Sequence, residues 1–237
     1  MLGWRGRFGY LSATSIFLPW DIHQMLPEGV VALAATLGVS GLSDEELQQG
    51  SDRQSHAIDQ FVADGAKAVV VTGPMMAVRL GYRESNARDR VLSEQKGVPI
   101  MSAVDAQIEA LKQLRRHRPV LATALAEQSS RQLVGYLGDA GIEVAGSDSL
   151  GARGPADQSR IDPHDFYRLA HELARSHPDA DSILLGGRVV TLDVVRELEY
   201  DLKLPVLYST VAAVWWALRE LGVRGSERHA GMLLSSG

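Results

Sequence analysis

The chain has 237 residues, 45% hydrophobic and 22% charged, enough apolar material for one large core or two small ones and too much for a disordered chain. A net charge of −5 offers no basic footprint for a phosphate backbone, so nucleic acid is not expected as a partner. The complete absence of cysteine excludes disulfides, thiolate nucleophiles and Cys-based metal or iron–sulfur sites. No apolar run reaches the roughly 18 residues of a membrane span, and MLGWRGRFGY lacks the apolar core of a signal peptide. The expectation is a cytoplasmic protein with no membrane partner.

In chain order, short β-branched runs alternate with longer helical patterns, the signature of parallel βαβ units. Strands are predicted at Phe8 to Leu11, Ala68 to Thr72, Pro99 to Met101, Val120 to Ala124, Ile183 to Leu185 and Pro205 to Tyr208. Helical spacing of apolar residues covers Asp44 to Asp64, Ser129 to Ala140, Pro163 to Ser176, Leu192 to Leu202 and Val211 to Leu221. Ser43 before an acidic turn, and Asp162 before Pro163, mark helix starts. The basic cluster Arg115, Arg116, His117 and Arg118 fits a loop that follows a helix C-terminus.

The second half repeats the first at an offset of about 110 residues. RFGYLSA at Arg7 lies over RPVLATA at Arg118, DGAKAVVVTG at Asp64 over DADSILLGG at Asp179, and KGVPIMSAVDAQIEALKQL at Lys96 over KLPVLYSTVAAVWWALREL at Lys203. One βα block used twice predicts two lobes, residues 1–115 and 116–237, with the segment near 205–223 packing back on the first. Ligands of parallel sheets bind beyond the carboxyl ends of the strands, where helix N-termini favour anions. The loops to watch are Ser12 to Ser15, Thr72 to Met76, Thr123 to Glu127, Gly186 to Val190 and Tyr208 to Thr210.

Those stretches carry a resemblance. DGAKAVVVTGP, GVPIMSAVDAQIEALKQL, VLATAL and above all ILLGGRVVTLDVVRELEYDLKLPVLYSTVAAVWWALRELG are similar to the aspartate/glutamate racemase superfamily, nearest its arylmalonate decarboxylase and maleate isomerase branch. The resemblance implies an α/β fold of two pseudo-symmetric lobes, each a short parallel flavodoxin-like sheet flanked by helices, with an interlobe cleft. It further implies a cofactor-free lyase or isomerase acting on a small carboxylic acid, with a cysteine in one lobe or both as the proton relay. Here the first-lobe position falls on Gly73 and the second on Gly186 or Gly187. Pro74 and Met75 stand where the family's decarboxylases have hydroxyl residues, and Leu125 stands where a tyrosine is frequent.

Substrate contacts are therefore expected from Thr72, Gly73, Pro74, Met75, Leu125, Gly186, Gly187, Arg188, Ser209 and Thr210. Arg188 follows the double glycine and could grip a carboxylate bidentately or form a surface ion pair. Ser209 and Thr210 could bind a carboxylate or cap a helix. For the missing thiol the candidates are Tyr208 and His23, the latter paired with Asp21 and competing with a purely structural role. Asp105 is a weaker candidate, expected at the start of a helix's solvent face. The other histidines match no metal motif, and no metal is expected. Trp215 and Trp216 point about 100° apart on a helix and cannot both line one pocket. The rival reading is a non-catalytic small-acid-binding protein or degenerate enzyme of the same fold, and a hydrolase using a Ser or Thr finds only scattered hydroxyls. Homo-oligomer formation is left open.

Overall fold

A computed structural model describes residues 2–14, 18–39, 44–187, 190–225 and 231–235. The first half runs β1 (Gly6–Ser12), α1 (Trp20–Met25), β2 (Val30–Thr36), α2 (Asp44–Ala63), β3 (Val69–Thr72), α3 (Pro74–Leu80), α4 (Tyr82–Lys96), β4 (Ile100–Ser102) and α5 (Ala103–Gln113). The second runs β5 (Pro119–Leu125), α6 (Glu127–Asp139), β6 (Gly146–Ala152), α7 (Pro155–Gln158), α8 (Pro163–Ser176), β7 (Ser182–Gly186), α9 (Leu192–Leu202), β8 (Val206–Tyr208), α10 (Ser209–Glu220) and α11 (Gly231–Ser235).

Each half forms a four-stranded parallel sheet, ordered β2-β1-β3-β4 and β6-β5-β7-β8. The two orders are the same once the repeat offset is applied, so the duplication read from sequence is a duplication of topology. The central strands are apolar on both faces, as covered parallel sheets require. Phe8, Val69, Val70, Ala122, Ile183 and Leu185 are fully buried. Caps follow local chemistry: Asp162 accepts from the His164 N–H at 2.9 Å, and Thr191 accepts from the Val194 N–H at 3.4 Å. The Ser43 cap lies outside the described residues.

Two strands were not expected. β2 and β6 are edge strands, and β6 has the composition GSDSLGA, poor in β-formers. Backbone pairing with β5 holds it: Val120 pairs with Gly146 and Thr123 with Ser149. Likewise, WDIHQM in α1 is helical rather than loop, and the loop after β3 becomes helix at once, with Pro74 in the first turn of α3.

The two lobes share one core. A single buried cluster joins Phe8, Val70 and Val104 of the first half to Val120, Leu185 and Trp216 of the second, and α10 packs against α5 and α1. Trp215 and Trp216 are both core, at 6% and 2% exposure, and Arg219 stacks on the Trp215 ring at 4.9 Å. β8 stays in the second sheet while α10 crosses to the first half.

Polar groups also bridge the halves. Gln107 Nε2 on α5 donates to the carbonyls of Leu207 (2.9 Å) and Leu185 (3.3 Å), at the ends of β8 and β7. Asp105, expected on a solvent face, is instead 4% exposed. Its carboxylate accepts from the Tyr136 hydroxyl on α6 at 2.9 Å, from Ser102 Oγ at 2.6 Å and from Asn86 Nδ2 at 3.3 Å. The Ser102 N–H donates to Asp89 Oδ2 at 3.0 Å, so one serine links two carboxylates. Burial, reinforced by the neighbouring Asp105 charge, pushes Asp89 up to about 7 from its ordinary 3.8; burial also raises Asp105.

This raised group has a defined consequence for stability. The unfolded chain releases the Asp89 proton near pH 4, whereas the folded protein holds it until about pH 7. The folded state binds more protons in that window, so stability falls as pH rises from about 4 to about 7 and is flat above. Urea denaturation across this range should show the decline in the native chain and a flatter profile in Asp89→Asn.

Candidate functional site

The carboxyl ends of both sheets open onto one cleft of about 370 Å³. All four strand ends of the second sheet reach it, through Ala152, Leu125, Gly186 and Tyr208, and β1 and β3 of the first reach it through Ser12 and Thr72. This is the placement that parallel topology dictates for a ligand site. The floor and walls are largely neutral: Met75, Met76, Leu125, Leu133 and Val39 give apolar surface, while Ser12, Thr14, Thr72, Ser129, Tyr10, Tyr208, Ser209, Thr210, Gln107 and Gln158 give polar groups.

Most residues expected at the site meet there: Thr72, Gly73, Pro74, Met75, Leu125, Gly186, Gly187, Tyr208, Ser209 and Thr210 all line the cleft. His23 does not. It sits on the exposed side of α1, its ring 5.8 Å from that of Trp20, and is not among the lining residues. Its neighbour Asp21 turns to the other lobe, accepting a hydrogen bond from the Leu192 N–H at the start of α9; burial raises its pKa. The short α1 therefore serves the lobe contact, and the His–Asp pair expected from sequence is not aimed into the cleft. Arg188 lies outside the described residues.

The capping alternative for Ser209 and Thr210 is also settled. Strand β8 passes directly into α10, and the N-cap is Tyr208, with no side-chain cap bond. Ser209 and Thr210 occupy the first helical turn, where N–H groups have no acceptor within the helix. Both residues and this positive end of the helix dipole border the cleft.

The glycines of the two loops differ in what they permit. Gly73 has φ +103°, and a Cβ there would sit 2.5 Å from the Ala13 Cβ. Gly187 has φ +153°, with a Cβ meeting Ala124 Cβ at 2.8 Å and Phe166 Cζ at 2.9 Å. Gly186 has ordinary backbone, and its nearest contact would be Thr123 Cγ2 at 3.3 Å. Of the two second-lobe positions left open by sequence, Gly186 is the one with room for a side chain.

Sequence reasoning marked the Ser12 to Ser15 loop without giving Ser12 or Thr14 a role, and it missed Tyr10 and Arg153. Tyr10 and Ser12 alternate on β1 at the strand period of two, a signal present but unused. Tyr10 brings a second phenol to the cleft, from the first lobe. Arg153, in the loop after β6, is the only charged lining residue among those described; it was hidden because β6 was not recognised as a strand. Among the described residues, no group of three or more His, Cys, Asp or Glu is placed to hold a metal ion, and no helix is long and apolar enough to cross a membrane.

Comparisons with known proteins agree with this geometry. A family model described as arylmalonate decarboxylase matches residues 13–234. An arylmalonate decarboxylase of Bordetella bronchiseptica is 27% identical over 206 residues, covering 86% of this chain and 85% of its own. A maleate isomerase of Geobacillus stearothermophilus is 28% identical over 200 residues, 82% of this chain and 79% of that one. Among solved structures, a liganded arylmalonate decarboxylase carrying a glycine-to-cysteine and a cysteine-to-serine substitution has TM-score 0.89 at 24% identity, covering 98% of this chain and 100% of its own. A Nocardia farcinica maleate cis-trans isomerase with a bound succinylcysteine intermediate has TM-score 0.84 at 18% identity, covering 98% of this chain and 99% of that one.

The glycine geometry predicts unequal tolerance. Gly73→Ala combines a disfavoured φ with a steric clash and should cost about 2–4 kcal/mol, whereas Gly186→Ala should cost under about 1.5 kcal/mol. Parallel urea titrations of the two variants against the native chain decide it.

Proposed function

The chain belongs to the arylmalonate decarboxylase family, and from that premise we propose that it is a cofactor-independent lyase or isomerase of decarboxylase type whose proton donor is a phenol instead of a thiol. The substrate is a small organic acid held in the interlobe cleft. The observation that carries this reading is the convergence of Tyr208, the Gly73 and Gly187 loops and the α10 N-terminus on one largely neutral cavity.

The relatives named above include a maleate isomerase with a succinylcysteine adduct, so thiol chemistry is at home in this fold. The present chain has no cysteine at any position, and the requirement for a proton source remains. Loss of carbon dioxide from a malonate-type acid breaks a C–C bond and leaves the electron pair on an enediolate. Backbone N–H groups of the glycine loops and the first turn of α10, with the Thr72, Ser209 and Thr210 hydroxyls, are suited to stabilise that oxyanion in a water-poor site. Pro74, Met75 and Leu125 supply apolar contact to the substituent and disfavour the charged ground state relative to the dispersed transition state.

Tyr208 then transfers its O–H proton to the carbon, and the resulting phenolate is reprotonated from solvent. The residue is 3% exposed and stands at the strand–helix junction, so its position is set by the backbone on both sides. Delivery from one fixed side fits formation of one product enantiomer. Tyr10, on the opposing lobe, is the second phenol available to the cavity.

Purified protein incubated with phenylmalonate and its α-methyl derivative, with carbon dioxide release monitored, tests the proposal. Turnover is expected, and Tyr208→Phe should lower kcat by about 100-fold or more, the range of a lost general acid, with little change in stability. The alternative, a cleft that binds acids without chemistry, predicts a thermal shift with the same acids and no carbon dioxide over hours. That outcome, or a Tyr208→Phe variant as active as the native chain, overturns the assignment.

A further inference from the structure

The cleft has a charge asymmetry that the chain as a whole does not share. The sequence carries net charge −5, yet among the described residues the lining holds no carboxylate and a single cation, Arg153. Its guanidinium makes no ion pair with any described acid. The nearby carboxylate of Asp157 accepts from the Arg153 backbone N–H at 3.2 Å and meets the Arg160 side chain at 3.4 Å. A cation beside weakly polar walls concentrates its field in the cavity, where an anion feels it more than in bulk water.

The arginine is held in place by its backbone. The register of β6 against β5 shifts between Thr123 and Leu125, so that Leu125 pairs with Ala152. Ser149 Oγ donates to the Leu125 carbonyl and accepts from the Gly151 N–H at 3.0 Å, and Gly151 has φ +73°. This irregular strand end, followed by the Asp157 bond, leads into residue 153, which is exposed and lines the cleft.

The sheet order fixes what Arg153 can reach. Its strand is β6 and the Gly186 loop follows β7, with β5 between them, a separation of two strand spacings or roughly 10 Å. The two carboxylates of a malonate share one carbon and cover only a fraction of that gap, whereas a second anionic group on the substituent covers it without the arginine side chain bending inward.

Resting on the reading of the cleft as a small-acid site, we propose that Arg153 is its specificity-determining residue. The acid it selects bears a further anionic group on the substituent, remote from the carboxylate held by the glycine loops. Arg153 acts on binding and not on proton transfer, since it follows β6 and Tyr208 ends β8, the two outer strands of the sheet.

The test uses two product-type acids of nearly equal shape that cannot be decarboxylated further in this manner: para-carboxyphenylacetate and its neutral isostere para-carbamoylphenylacetate. Calorimetric titration of the native chain should show the diacid binding about tenfold tighter, the range of one charge-assisted contact. Arg153→Gln should abolish that preference by weakening the diacid far more than the carbamoyl acid, Arg153→Lys should retain part of it, and added salt should erode it wherever the cation is kept. Equal binding of the two acids by the native chain, or a preference that survives in Arg153→Gln, overturns this inference alone. If neither acid binds, the acid-cleft reading fails and the inference falls with it.

Discussion

Gln107 reaches from a helix of the first lobe to the carbonyls ending two strands of the second, and the site depends on that constraint. An active cleft between two lobes needs their strand ends held face to face at fixed spacing. The packing of α5 on α10 supplies area, but apolar contact is nondirectional and permits sliding. A buried amide bonded to two strand termini sets position along the sheet axis, and Asp105 with Tyr136 adds a second fixed point. Leaving such groups unpaired in the interior would cost about 1–3 kcal/mol each, so the polar bridges penalise misregistered lobe arrangements more than they strengthen the correct one.

Within that frame the proposed reaction leaves much of the chemistry to the backbone. Gly73 and Gly187 have conformations and clearances that leave no place for a Cβ, bringing the chain itself to the cavity wall. An oxyanion cradle made of N–H groups does not depend on side-chain identity, which is why it can outlast the loss of cysteine. Proton delivery does depend on identity. Phenols and thiols share a weakly acidic X–H on a short side chain, but a phenol reaches farther from its Cα. A Tyr at the end of β8 can therefore address a carbon that a thiol would address from a nearer loop.

Much of the architecture was legible because parallel strands buried on both faces read as continuous apolar runs. The duplication supplied two equivalent βα blocks without any long-range information, and the family resemblance supplied the parallel flavodoxin-like sheet. What was illegible followed from context. β6 is a strand by virtue of its partner β5, since its own Gly, Ser and Asp residues favour turns. Asp105 read as a solvent-facing first-turn acid because nothing local reveals that Tyr136, on the other lobe, caps it. His23 looked like a site residue because a His–Asp pair is suggestive, yet α1 turns Asp21 toward α9 and leaves His23 outside. Each departure concerns a contact between distant segments, and the expected residues that line the cleft lie at or just after strand ends, whose position the topology determines.

The second lobe, not the first, holds both Arg153 and Tyr208. Both lobes have the same strand order, so symmetry alone would give each an equivalent wall. The halves differ where their strand ends depart from regularity: β5 and β6 shift register, and β8 runs into α10 without a loop, whereas β1 pairs with β2 in unbroken register. Register shifts and abrupt junctions re-aim side chains without altering the fold. In this chain they bring Arg153 and Tyr208 to the cavity from opposite edges of one sheet. A duplicated scaffold thus acquires polarity, a cation on one side and a phenol on the other, and with the roles proposed for them an asymmetric substrate has one orientation that satisfies both.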